Sequence, residues 1–157
     1  MKIRPKTLWG VPVYCTVASL LSYYFTIYTA RFFFLVETVG EDGATVISTD
    51  PLRAAIFHGV LFVVILLVGG LWALRSMTKL EIAVSAAILS ALYLVLSLAQ
   101  RYVPDFPVML TLRLLPFQEW SIDLSSVLQH LTGNSTVSTW LSDFAPFFFV
   151  PFGKKSI

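Results

Sequence analysis

Apolar residues gather in long runs separated by short polar stretches, and the runs set the element plan. The first covers residues 8–35, LWGVPVYCTVASLLSYYFTIYTARFFFL, behind Lys2, Arg4 and Lys6. It is much longer than the apolar region of a secretory signal, roughly 7–15 residues, and no A-x-A-like site closes it, so it reads as a retained span. Pro12 falls near its start, where proline is tolerated. A polar loop, residues 36–50, follows with Glu37, Glu41, Asp42 and Asp50. Asp50-Pro51 then pairs an N-cap acceptor with proline at the first helical position. The second span, residues 52–74, holds one ionisable residue, His58, and the pair Gly69-Gly70, a sign of close packing. Thr78-Lys79-Leu80-Glu81 fits a capping box and starts the third span, residues 80–102. Ala83, Ala87 and Ala91 form a small-residue stripe suited to close helix contact. Pro104 and Pro107 stop that helix.

Residues 103–134 are the least membrane-like. FPVMLTLRLLPF is apolar but too short to span, and it contains Arg113. Beyond it, Trp120, Leu124, Val127, Leu128 and Leu131 recur at helical spacing, while Asp123, Ser126, Gln129 and His130 fall largely elsewhere. This pattern predicts an amphipathic helix over 119–132, lying at the membrane surface and closed by Gly133. Its apolar stripe is the expected surface for a partner or lipid. The tail, residues 135–152, opens at Asn134 or Ser135. As one helix it rises about 27 Å, close to a hydrocarbon core of about 30 Å, with a kink at Pro146. The expected fold is an all-α integral membrane protein: a single domain, 1–157, with four spans, an interfacial helix, and outer loops at 36–50 and 103–134.

Composition strengthens this picture. The 157 residues are 57% apolar and 13% charged, against about 25% charged in ordinary soluble domains. Mean hydropathy is +0.79. A soluble domain of this size could not hide so much apolar surface. Four crossings place Lys2, Arg4, Lys6, Arg75, Lys79, Lys154 and Lys155 on one side. Glu37, Glu41, Asp42, Asp50, Asp105, Glu119 and Asp123 fall on the other, with Arg53 and Arg113, and Arg31 and Arg101 at its boundary. The positive-inside rule makes the basic side cytoplasmic, with both termini there, in a plasma membrane of bacterial type.

Candidate chemistry is sparse. Arg31, His58, Arg101 and Asp143 all fall toward the outer ends of spans, and ionisable groups there are costly enough to imply a role. They predict either a substrate or ion site, or a structural ion pair of Asp143 with Arg31 or Arg101. Thr16, Ser19, Tyr23 and Thr26 form a hydroxyl stripe on the first span, suited to helix packing or to lining a pathway. Cys15, the single cysteine, excludes an intramolecular disulfide and a CxxC pair. No His/Cys/Asp/Glu set has metal-ligand spacing, so no metal site is expected, and no cofactor is expected. Asn134-Ser135-Thr136 matches a glycosylation acceptor. The chain lacks a Walker loop, a Gly-x-Ser-Gly nucleophile, and the basic stripe or RNA-binding motif of a nucleic-acid binder. Three readings of function remain. The first is an accessory or scaffold protein presenting the outer amphipathic segment to a membrane protein or lipid. The second is a small oligomeric transporter or channel. The third is an outer-leaflet enzyme using His58 or Asp143. The expected partners are the bilayer and either another membrane protein or further copies of the chain.

Overall fold

The computed structural model describes residues 5–39, 45–103 and 107–155. Lys2, Arg4, Glu41, Asp42 and Asp105 of the charge pattern, and Pro104 of the expected helix stop, lie outside the described residues.

A 3-10 turn, Pro5–Trp9, leads into α1 (Gly10–Phe33). The helix is followed by an antiparallel hairpin, β1 (Leu35–Val39) and β2 (Thr45–Thr49), with Leu35 opposite Thr49 and Val39 opposite Thr45. The loop expected at 36–50 is therefore partly strand. Its β-branched runs on either side of two glycines carry that signal. The hairpin brings the end of α1 to the start of α2, and Asp50 N–H donates to Phe34 C=O at 2.9 Å. Next, α2 (Pro51–Val68) starts where Asp50 Oδ1 accepts from the N–H groups of Leu52 and Arg53, at 3.0 and 3.1 Å. It ends in a π turn, Gly69–Ala73. A full capping box opens α3 (Lys79–Tyr102): Thr78 Oγ1 accepts from Glu81 N–H at 3.3 Å and Glu81 Oε2 from Thr78 N–H at 2.9 Å. Thr7–Phe33, Pro51–Ala73 and Lys79–Tyr102 are long and apolar enough to cross a membrane.

The second half departs from expectation. Val108–Thr132 is one helix, α4, with Pro116 inside it, rather than a loop followed by a helix over 119–132. It closes at Gly133, whose φ of 66° suits glycine. The tail is not one kinked helix. It is a short α5 (Ser135–Ser142), capped by Asn134, and a 3-10 segment, Ala145–Phe152, with Pro146 near its start and Pro151 inside. Two prolines within eight residues remove the main-chain donors a continuous α-helix needs. The tail still follows α3 back to its beginning. Lys154 N–H donates to Met77 C=O at 3.0 Å, and Lys79 N–H donates to Lys154 C=O at 3.1 Å. Chain start and tail share this end, for Ser85 at the start of α3 donates to Leu8 C=O at 2.6 Å.

The core gathers Val11, Cys15, Phe62, Leu74, Ile82, Leu89, Tyr93, Trp120 and Phe149. The buried face of α3 is Ile82, Ser85, Ala86, Leu89, Ser90 and Tyr93. The expected alanine stripe lies beside that face, with Ala87 and Ala91 exposed. The glycine pair does mark close packing. A Cβ on Gly69 would come within 2.6 Å of Phe149, and one on Gly70 within 2.6 Å of Phe152.

Candidate functional site

Trp120 is the reason α4 lies inside the bundle. Fully buried, it stacks on Phe62 of α2 and on Phe149 of the tail, both at 5.1 Å between ring centres. Just beyond Pro116, neighbouring hydroxyls bond to the α4 main chain. Trp120 N–H donates to Ser19 Oγ at 3.2 Å, and the Tyr93 hydroxyl to Phe117 C=O at 3.3 Å. Ser19 meets Trp120 and Ser22 meets Asp123, so this stretch of α4 advances in the same direction as α1. Phe62 meets Trp120 and His58 meets Asp123, so it runs antiparallel to α2.

That register assembles a polar site. Asp123 is fully buried. Its Oδ2 accepts from the Ser22 hydroxyl at 2.8 Å, and its Oδ1 lies 2.6 Å from His58 Nδ1. The His58 side chain is only 12% exposed. Glu119, one turn earlier on the same face of α4, completes the group. One donor atom from each of His58, Glu119 and Asp123 lies within 4.8 Å of the other two. Glu119 is 6% exposed and accepts no hydrogen bond among the described residues. Phe34 and Phe57 wall the imidazole at 5.6 and 5.4 Å. His58 is seven residues into α2, about 10 Å below its start.

Electrostatics defines what this group needs. No lysine or arginine pairs with Glu119 or Asp123 among the described residues. Two ionised carboxylates beside a neutral imidazole carry a charge of −2, and beside a protonated one −1. Buried charge without compensation costs several kcal/mol per ion, so the group is neutralised either by taking up protons or by holding a cation. Nucleophilic catalysis is disfavoured by geometry. It requires the hydroxyl on the imidazole, whereas here the carboxylate bridges them in the order Ser22, Asp123, His58.

The four ionisable residues singled out in the sequence have separate settings. His58 is in the site, with Asp123 as its partner. Arg31 points outward and pairs with Glu37 at 2.9 Å. Arg101 is exposed, its guanidinium 6.0 Å from the Tyr102 ring centre. Asp143 is buried beside Ser97, with Oδ2 lacking a hydrogen-bond partner. The expected ion pair of Asp143 with Arg31 or Arg101 is not among the salt bridges of the described residues. The expected partner surface is also corrected. Trp120 is buried, and Leu124, Val127 and Leu128 are half-buried; Leu131 is exposed. Trp120 lies on Phe62 of α2 and Val127 beside Gly59, so this part of the stripe faces the chain's own helices. Of the hydroxyl stripe of α1, Ser19 is buried and Thr16, Tyr23 and Thr26 are half-buried; Ser22, outside the stripe, is buried on Asp123. Sequence reasoning missed Glu119 and Asp123 as site residues. Their one sequence signal is the four-residue spacing, which puts two acids on one helical face. His58 is 65 positions from Asp123, so no linear spacing reveals the set.

Comparison with protein-family models, curated proteins and solved structures finds no match for this chain.

Proposed function

We propose that this chain is a small polytopic membrane protein of the transport type, taking a cation into the site between α1, α2 and α4. The observation that carries the reading is the buried His58, Glu119 and Asp123 group, without a basic partner, inside a bundle with three helices of membrane-crossing grade. Ionisable groups at such depth typically mark ion or substrate pathways. The scaffold reading drew its support from an amphipathic surface helix, and Trp120 of that stripe is buried.

In the proposed topology the chain crosses a bacterial plasma membrane four times, the tail making the last pass in broken form beside α3. Both termini are cytoplasmic, following the clustering of Arg75, Lys79, Lys154 and Lys155. The backbone pairing of Lys154 with Met77 and Lys79 supports this placement. Ser156→Cys in a Cys15→Ser background then resists an impermeant thiol reagent in intact cells and reacts after lysis. Labelling from outside would refute the topology.

Transport is tested in proteoliposomes of the purified chain, with sodium, potassium, magnesium and zinc gradients read by ion-specific dyes. At least one gradient should collapse faster than in empty liposomes, and Asp123→Asn should abolish that flux. Folded protein with no flux above empty liposomes for all four ions would overturn the transport reading.

A further inference from the structure

Resting on the cation-site reading, we infer that the ion held is a divalent transition metal of zinc type, bound by an imidazole nitrogen of His58 and the carboxylates of Glu119 and Asp123. Three features of the site select this class. First, two carboxylates and a neutral imidazole are neutralised by a divalent ion, whereas a monovalent ion leaves one buried negative charge. Second, the ligands match. Imidazole with carboxylate suits zinc and its neighbours, while magnesium and calcium seek six or more oxygen donors. The charged or imidazole donors here are two acids and one histidine. Third, the spacing fits. Four-coordinate zinc, with bonds of about 2.0–2.2 Å, sets neighbouring donors roughly 3.3 Å apart. The present separations bracket that value: 2.6 Å between His58 and Asp123, and no more than 4.8 Å across the group.

Two further observations point to a ligand here. Glu119 is buried, faces the other two donors and has no hydrogen-bond partner of its own among the described residues. Ser22 donates to Asp123 Oδ2, which orients that carboxylate and leaves Oδ1 toward His58. Such outer hydrogen bonds are typical of metal-ligating carboxylates. Three protein ligands leave a fourth position open, which suits an ion that must enter and leave.

The test uses the full chain in detergent micelles or nanodiscs. Isothermal titration with zinc chloride should show one ion per chain. Cobalt(II) should give the intense visible bands of a four-coordinate centre. Glu119→Gln, which breaks no hydrogen bond, should keep the thermal melt of the parent and weaken zinc binding about tenfold or more. His58→Ala should remove the cobalt bands. Parent-like zinc affinity in folded Glu119→Gln, or binding of magnesium as tight as zinc, would overturn the assignment. Flux separates the two levels. Zinc binding without flux of any cation leaves the metal site standing and removes the transport reading. Flux of sodium, potassium or magnesium without zinc binding removes the metal assignment alone.

Discussion

Truncating Trp120 to alanine probes the placement of α4 on which the whole site depends. The ring stacks on Phe62 and Phe149, each at 5.1 Å, with interplanar angles of 11° and 27°. Aromatic pairs of this kind contribute about 0.5–1.5 kcal/mol each beyond their area, so the two supply about 1–3 kcal/mol. A buried Trp→Ala change in a water-soluble core costs about 3–5 kcal/mol in all. Part of that total is transfer from water, a term that shrinks in lipid because acyl chains are as apolar as leucine. The expected loss is therefore about 2–4 kcal/mol, or roughly 5–15 °C in melting temperature for a chain of this size. Trp120→Phe serves as the control. It keeps a stacked ring and removes an indole N–H that has no hydrogen-bond partner, so it should cost about 1 kcal/mol or less. The assay is thermal unfolding in detergent, joined to fluorescence of a variant keeping Trp120 alone of the four tryptophans. Buried Trp120 should resist quenching by acrylamide and by brominated lipid. Trp120→Ala melting within about 2 °C of the parent, with Trp120 emission quenched by brominated lipid, would refute an interior α4 and restore the surface helix.

Other substitutions test the packing around that helix. Gly70→Val puts side-chain atoms into the Phe152 ring; overpacking costs about 1–3 kcal/mol, and an unchanged melt would show that the tail does not pack on the π turn. Asp143→Asn removes a buried carboxylate with one bare oxygen and no basic partner among the described residues. The variant should melt at or above the parent temperature, by up to about 3 kcal/mol of added stability; a drop of that size would reveal an ion pair after all. Thr78→Ala deletes one half of the α3 capping box and should cost about 1 kcal/mol, read as a lower melting temperature, with no change counting against the cap.

Local features were legible in the sequence, and long-range ones were not. The Asp50-Pro51 start and the Thr78–Glu81 capping box involve residues within three positions of each other, and both formed as read. The three apolar runs gave helix ends within a few residues, for the same reason. The stripe from Trp120 to Leu131 was read as the apolar side of an amphipathic surface helix, but spacing does not say what covers a face, and Asp123 from the expected polar side is buried while Leu131 is exposed. Phe62 and Phe149 cover Trp120, and neither is near it in the chain. The same gap hid the site. His58 was flagged for its cost in an apolar run, whereas Asp123 was assigned to the polar side of a surface helix and Glu119 counted only as an outer charge. The tail's aromatic run suggested one helix, and its prolines decided otherwise.

The central claim is that α4 lies against α2 with Asp123 on His58, and an engineered cross-link tests it most directly. A Cβ on Gly59 would sit 3.3 Å from Val127 Cγ2, within range for a disulfide after small adjustment. Gly59→Cys with Val127→Cys, in a Cys15→Ser background, should therefore form an intramolecular bridge on mild oxidation in native membranes, seen as a linked peptide by mass spectrometry. Both thiols remaining free and reactive under those conditions, in a chain that is otherwise folded, would contradict the account.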